Sequence, residues 1–292
     1  MDLRQLRYFY TIAKEGQITR AANKLHMAQP PLSTSLKELE TELGVSLFER
    51  NRKKMELTEP GLLLYEKAEK LFEYLDETVM EVKETGDGLR GTLSIGCVKT
   101  CFSHMPKRLK TFRTQYPNIT YELMEGDSYF LADQLMNRSI DLALVRLPLE
   151  MKDFEYVPLP DENYVVVIPN SWAEDFSTGK ITMANLVKLP LLLLHRLSGI
   201  GQYEVILDKF HKNNLQPKVV CQCPDVDILL ELVREGLGAS IVPTSALTDH
   251  QLNGIKKLMI EDENIVSKSA IIWLKNRYLS KSARQFIELF HA

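Results

Sequence analysis

Ser33, Thr34, Ser35 and Lys37 lie within one short stretch, directly after the pair Pro30-Pro31. Short hydroxyls and a single cation have the reach to meet base edges and phosphates in a major groove. A helix from about Pro30 to Leu43 would turn them away from Leu32, Leu36, Leu39 and Leu43, which recur four, three and four residues apart on one face. Prolines suit the first turn of such a helix, where their missing N–H groups would be unpaired anyway. A little further on, Arg50, Arg52, Lys53 and Lys54 form a cationic run suited to a phosphate backbone. The chemistry on offer is therefore nucleic-acid recognition.

These groups need a frame. Leu3, Leu6, Tyr10 and Ala13 predict the inner face of a first helix that stops near Gly16. Ile18, Ala21, Ala22 and Leu25 predict a second, whose alanines allow close crossing. His26, Met27 and Ala28 make the turn to the third helix, which Gly44 ends. Val45, Leu47 and Phe48 return to the core, and Met55-Glu56-Leu57 closes a hairpin behind the basic tip. Amphipathic helices with glycine stops describe many bundles, and a basic run is often only a solvated turn. The order of tight turn, proline-led polar helix and cationic hairpin points instead to a winged helix-turn-helix.

From Pro60 to about Glu84 no breaker follows Gly61, and Leu64, Ala68, Leu71, Leu75, Val79 and Val82 share a stripe that Phe72 and Met80 widen. The helix would be roughly 35 Å long. A small module cannot cover a stripe of that length, so a second copy of the chain is the expected partner; an ordinary core helix is the alternative. Thr85-Gly86-Asp87-Gly88 breaks the pattern as a hinge.

The remainder alternates short apolar runs with helical patterns, which predicts α/β units with mostly parallel sheets. Strands are expected at 92–98, 119–124, 141–147, 164–168, 191–194, 240–242 and 269–273. Helices are expected at 105–116, 129–136, 203–211, 227–234 and 281–290. Hydrophobic content of 45% and charged content of 26% suit a globular chain with sizeable cores. No apolar run approaches the roughly 18 residues that cross a bilayer, and the N-terminus lacks a secretory core, so the expected compartment is the cytoplasm, with no membrane partner. The net charge of -3 is unevenly spread. Residues 1–58 hold 10 Lys+Arg against 7 Asp+Glu, residues 59–88 hold 3 against 9, and the rest 23 against 23. The positive balance thus coincides with the reading module.

Cys97, Cys101 and His104, with Cys221 and Cys223, raise a metal or thiol-redox reading. The spacings match no common zinc knuckle, and buried reduced cysteine is the expectation. Gly199-Ile200-Gly201 lacks the third glycine of a dinucleotide fingerprint. No phosphate-binding lysine loop or catalytic Ser-His-Asp set is evident. No catalytic residue, metal or cofactor is therefore assigned, and the chain is read as a non-enzyme.

Residues 1 to about 61 resemble the N-terminus of LysR-type transcriptional regulators. The resemblance is carried by Leu3-Arg4-Gln5-Leu6-Arg7-Tyr8-Phe9, Thr19-Arg20-Ala21-Ala22 and Leu25-His26-Met27-Ala28-Gln29-Pro30-Pro31-Leu32-Ser33. It continues through Leu43-Gly44-Val45, Leu47-Phe48-Glu49-Arg50 and Leu57-Thr58-Glu59-Pro60-Gly61. It implies that Thr19, Arg20, Gln29, Pro30, Pro31, Ser33, Thr34 and Lys37 face DNA, while Arg50, Arg52, Lys53 and Lys54 touch backbone or minor groove. Position 34 is often Arg or Gln in the family; Thr34 removes a bidentate guanine contact, so no operator can be borrowed from relatives. Position 17, often a serine cap, is Gln17, a weaker one.

The resemblance further implies a fold of three parts. These are a winged helix-turn-helix over 1–58, a linker and dimerisation helix with hinge over 59–88, and an α/β effector-binding domain over 89–292. That domain would hold two subdomains, about 89–161 with 266–292 and about 162–265, around a cleft like that of periplasmic solute-binding proteins. Ligands in open α/β sheets sit beyond the carboxyl ends of strands. That places Lys99, Thr100, Cys101, Arg146, His195, Arg196, Ser198 and Gly199 at the cleft, with Ser198 and Gly199 opening a helix. Four basic side chains there suggest a small organic anion as effector; pairing with Asp127, Glu150 or Asp225 is the competing fate. The expected protein is a transcriptional regulator that binds an inverted-repeat operator in double-stranded DNA as a dimer or tetramer, with RNA polymerase as a further partner. The alternative is a solute-binding or enzymatic α/β protein with a helical N-terminal appendage.

Overall fold

The computed structural model describes residues 1–49, 55–86, 90–196, 199–248 and 251–291. They belong to two compact units, Met1–Gly86 and Asp87–Ala292. The basic tip Arg50–Lys54, Ser198 and the Asp87-Gly88 part of the expected hinge lie outside the described residues.

In the first unit, α1 (Leu3–Glu15) opens on a reciprocal cap. The Asp2 carboxylate accepts from Gln5 N at 2.7 Å, and the Gln5 side chain accepts from Asp2 N at 3.1 Å. Gly16 ends α1 in the left-handed region. Helix α2 (Ile18–Lys24) follows, and Gln17 gives it no side-chain cap. His26, at φ 52°, turns the chain into α3 (Gln29–Leu43). Helix α3 has no side-chain cap either. Its need is smaller, because Pro30 and Pro31 carry no N–H to leave unpaired.

Leu6, Phe9, Ile12, Ala21, Ala22, Leu32, Leu36, Leu39, Leu47 and Phe48 close into one core. Three residues read as inward do not join it: Leu3 is 50% exposed, Leu43 38% and Val45 41%. Leu3 and Leu43 are the first residue of α1 and the last of α3, and Val45 lies just past the α3 stop, so each sits at the end of a helix where neighbours run out. Phe48 bridges Leu57 in antiparallel fashion and Glu49 N donates to Glu56 O at 2.8 Å, as expected for the two arms of a hairpin.

Helix α4 (Glu59–Gly86) starts against this hairpin. Thr58 Oγ1 accepts from Gly61 N at 3.1 Å and donates to Ser46 O at 2.7 Å. A Cβ on Gly61 would fall 2.0 Å from the Leu47 carbonyl oxygen, so only glycine permits this approach. The apolar stripe of α4 is divided. Leu64, Ala68 and Phe72 pack into the module, whereas Leu71, Val79 and Val82 are exposed.

The second unit begins with β1 (Gly91–Cys97), a 3-10 turn (Lys99–His104), α5 (Pro106–Gln115), β2 (Ile119–Glu125), α6 (Ser128–Met136), β3 (Leu142–Arg146) and β4 (Phe154–Pro158). It continues with β5 (Glu162–Pro169), β6 (Lys180–Ile181), α7 (Met183–Leu186), β7 (Pro190–Leu194), α8 (Gln202–Lys212), β8 (Lys218–Cys223), α9 (Val226–Arg234) and β9 (Ala239–Pro243). The chain closes with β10 (Ile255–Ile260), β11 (Val266–Ser267), β12 (Ser269–Leu274) and α10 (Lys281–Glu288).

Two sheets result, in the orders β2-β1-β3-β12-β4 and β6-β10-β5-β9-β7-β8, with β11 beside β5. The expectation of mostly parallel sheets needs correcting. Strands β1, β2 and β3 pair in parallel, as do β7, β8 and β9, but β12 is antiparallel to β3 and β4, and β5 to β9, β10 and β11. Each sheet thus has one strand running against its neighbours on both sides. The reason is where the chain crosses over. Strand β4 ends and β5 begins on the same side, as do β11 and β12, so a strand entered from the cleft must run away from it while its neighbours run towards it.

The apolar pattern of the sequence does not announce β4, β8 or β10. Strand β8 is a sheet edge with alternate residues exposed, and β10 carries Lys256 and Lys257 among its apolar residues, so neither shows a continuous apolar run.

Gly61→Ala is expected to destabilise the first unit by about 1–3 kcal/mol, since the added methyl must displace backbone. A thermal melt followed by circular dichroism would check this, with loss of helix at lower temperature as the outcome.

Candidate functional site

The polar flank of α3 is accessible. Gln29, Pro30, Pro31, Thr34 and Lys37 are exposed and Ser33 is half-buried, while Leu32, Leu36 and Leu39 hold the opposite flank in the core. Thr19 and Arg20, on the first turn of α2, are also exposed. The Thr19 hydroxyl donates to Gln29 Oε1 at 3.3 Å, which joins the start of α2 to the start of α3. The Thr34 hydroxyl is turned back onto Pro30 O at 3.1 Å. The α2 and α3 residues of the expected DNA-facing set are therefore all at the surface.

In the second unit a cavity of about 270 Å³ lies between the two sheets, at the carboxyl ends of β1, β2, β3, β7 and β8. Of the expected cleft residues, Lys99, Thr100, Arg146, His195 and Arg196 line it. Two described ones do not. Cys101 is wholly buried in the first subdomain's core, because the 3-10 turn points it back at β1 and α10 rather than into the opening. Gly199 does not open a helix, since α8 starts at Gln202 with Gly201 as its cap. Gly199 instead has φ +68°, and a Cβ there would fall 2.1 Å from the Tyr129 ring.

The basic residues have unequal freedom. The Arg146 guanidinium is buried, and all five of its N–H directions are used. Nε donates to Thr100 Oγ1 at 3.1 Å, Nη1 to Glu162 Oε1 at 2.6 Å and Ser267 Oγ at 2.7 Å, and Nη2 to Thr100 O at 2.7 Å and Ser245 Oγ at 2.6 Å. Glu162 starts β5 and Ser267 ends β11, so Arg146 ties both crossovers to β3. It is spent as a strut. Lys99 Nζ lies 2.7 Å from Asp225 Oδ2 and 2.7 Å from Asp227 Oδ2, linking the turn after β1 to the start of α9. Burial opposes its charge, but these two bonds outweigh that and hold the ammonium above its ordinary range.

Arg196 differs. It donates to Pro148 O at 3.1 Å, Ile200 O at 2.8 Å, Arg146 O at 2.8 Å and Ser128 Oγ at 3.0 Å. Every acceptor is neutral, and burial pushes its guanidinium down from the usual range. His195 Nε2 is 3.8 Å from Glu204 Oε1. Glu125, Asp127 and Asp225 also line the cavity, which therefore holds three carboxylates against the cations Lys99, Arg146 and Arg196. Of the competing pairings considered from sequence, Asp225 is realised at Lys99. The sequence reading missed Glu162, Asp227, Ser245 and Ser267. Glu162 carried a usable signal, as a carboxylate at the first residue of the crossover strand.

Residues 3–62 match the family described as bacterial regulatory helix-turn-helix protein, lysR family, and residues 86–292 match the LysR substrate binding domain. The chain belongs to the LysR family of transcriptional regulators. It is 38% identical to the HTH-type transcriptional regulator BsdA of Bacillus subtilis (strain 168), covering 99% of this chain and 100% of that one. A full-length CbnR complexed with its target DNA is 25% identical, with a TM-score of 0.65 and coverage of 100% of this chain and 99% of that chain. HinK, a LysR family transcriptional regulator from Pseudomonas aeruginosa, is 27% identical, with a TM-score of 0.61 and coverage of 99% of this chain and 97% of that chain. This LysR regulator therefore pairs a DNA-binding helix-turn-helix with an effector-type α/β domain. Among the described residues, no helix is long and apolar enough to cross a membrane.

Both tryptophans, Trp172 and Trp273, lie in the second unit, so their fluorescence reports on it alone. Glu162→Gln leaves a buried guanidinium without its counter-charge and should lower that unit's stability by about 3 kcal/mol. Lys99→Met, at a half-exposed pair, should cost about 1 kcal/mol or less. Urea titration read by tryptophan emission would test the ranking; equal midpoints would contradict the strut role of Arg146.

Proposed function

We propose that this LysR regulator reads an inverted-repeat operator through α3. Gln29, Ser33 and Thr34 would meet base edges, with Pro30 and Pro31 shaping the entry to the groove. Thr19, Arg20, Lys37 and the basic residues Arg50, Arg52, Lys53 and Lys54 would contact backbone or minor groove. The exposed Leu71, Val79 and Val82 stripe on α4 supports pairing with a second copy, as a dimer or a tetramer built from dimers. Two copies would set their reading helices about 34 Å apart, on successive grooves of one DNA face. The division of labour is then residues 1–58 for reading, 59–88 for pairing and hinge, and 89–292 for sensing. Action at promoters in the cytoplasm brings RNA polymerase within reach as a partner.

The cleft is the effector site in this reading, and the effector carries a carboxylate. The observation that carries it is Arg196, a cavity-lining cation held only by neutral oxygens. A ligand carboxylate there would supply the charged hydrogen-bond partner that Arg196 lacks, in a partly buried site where charge-assisted bonds are strong. Binding changes regulation only by favouring one arrangement of the subunits over another. An enzymatic role has little support. The Thr100 hydroxyl, which lines the cavity, accepts from Arg146 Nε, and the Ser128 hydroxyl behind Arg196 is occupied by Arg146 N, Arg146 O and Arg196, none of which is a base. Thiol sensing has as little, because burial raises the Cys97 and Cys101 thiols and so keeps them protonated.

Bound fragments selected from genomic DNA would define the operator. On it, Gln29→Ala should weaken binding by about 1–3 kcal/mol while leaving random duplex unaffected. Arg20→Ala should weaken both and lower the slope of log affinity against log salt by about one. Equal losses on operator and random DNA for Gln29→Ala would remove its base-reading role. Arg196→Leu should abolish ligand-dependent change in operator binding with DNA affinity intact, and an unchanged response would overturn the effector placement.

A further inference from the structure

The cleft does not carry the charge of a simple anion site. Arg146 is balanced by Glu162, and Lys99 faces two carboxylates, Asp225 and Asp227. Of the three lining cations that leaves Arg196 to attract an anion. Against it stand two carboxylates with spare acceptor capacity. The Glu125 carboxylate has no hydrogen-bond partner among the described residues, and Asp127 uses only Oδ1, which accepts from Tyr129 N and Phe130 N at 2.9 Å each. Both line the cavity, Glu125 from the end of β2 and Asp127 from the cap of α6. Asp127 is also near enough to Arg196 to favour its charged form.

A ligand that is only an anion would satisfy Arg196 and strand these carboxylates as water leaves. A dianion would face them directly. Glu125 is exposed and Asp127 half-buried in the open cleft; a carboxylate that a bound ligand covers without offering a donor loses its water at a cost, and a covered like-charge pair costs more. We propose that the effector is a zwitterion of the amino-acid class, its carboxylate on Arg196 and its ammonium on Asp127 and Glu125. The carbon skeleton lies against apolar residues of the lining, among them Val98, Leu147 and Leu194. The inference rests on the effector reading above and adds the second charge to it.

The test uses the full chain and four skeletons: phenylalanine, leucine, 4-aminobutyrate and 4-(aminomethyl)benzoate. Each is compared with its carboxylate lacking the amine and its amine lacking the carboxylate, by tryptophan emission and thermal shift. A charged hydrogen-bond pair lost from a buried site corresponds to about a tenfold loss of affinity or more. At least one zwitterion should therefore bind about tenfold tighter than either half-charged relative. The double variant Glu125→Gln, Asp127→Asn should lose that preference and bind the plain carboxylate better than the parent protein does. Asparagine preserves the α6 cap, so the fold is kept. The proposal is overturned if no zwitterion binds, if a plain carboxylate binds as well as its zwitterion, or if the preference survives in the double variant. If a plain carboxylate binds as well as its zwitterion and Arg196→Leu abolishes that binding, the zwitterion falls and the effector reading stands; if Arg196→Leu leaves carboxylate binding intact, both fall.

Discussion

The second unit depends on the buried pair of Arg146 and Glu162. The chain passes between the sheets twice, once into β5 and once into β12, and both passages meet at the Arg146 guanidinium. A planar fork with five donors can hold several partners at fixed angles, which an ammonium cannot. Here it holds Thr100 from the first subdomain, Glu162 and Ser245 from the second, and Ser267 from the return crossover. The cleft opens beside this node. The neighbouring Lys99 ion pairs are half-exposed and weaker than the buried pair at the node.

The first unit solves a different problem with the same economy. The role proposed for α3 presents its first turn to DNA, yet the first turn is where backbone donors go unpaired. Pro30 and Pro31 remove two of those donors, so α3 stands without a side-chain cap and leaves Gln29 exposed at its start. Gly61 lets α4 start against the Leu47 carbonyl, and the hairpin behind the basic tip is held by the same contact region. The exposed flank of α3 is thus set by backbone constraints at Pro30, Pro31 and Gly61 together with the core that Leu32, Leu36 and Leu39 enter.

Much of the frame was legible because periodicity reports burial. The helices of the first unit, and the strands carrying apolar runs such as Leu191–Leu194, follow from it directly. Helix ends were less legible: Leu3 and Leu43 have core chemistry but lie where packing partners run out. The sheets read as more parallel than they are, since strand direction depends on which side the chain enters, and local sequence does not encode that. Strands β8 and β10 escaped because a sheet edge or a lysine pair breaks the apolar pattern, and β4 because only Phe154 and Val157 of its five residues are buried.

The cleft shows the sharper limit. A sequence displays Lys99, Arg146 and Arg196 as equivalent cations, and the count suggests a strongly positive pocket. Folding brings to two of them carboxylates from distant segments: Asp225 and Asp227 to Lys99, Glu162 to Arg146. What distinguishes Arg196 is that its hydrogen-bond acceptors are all neutral, and that has no sequence signature. Binding capacity in a polar cleft is therefore set by residual valence, not by the number of charges. By that measure the groups left for a ligand are the Nε–H of Arg196, whose positive charge its neutral acceptors do not offset, and the unshared oxygens of Glu125 and Asp127. A molecule complementary to all three must carry both signs of charge.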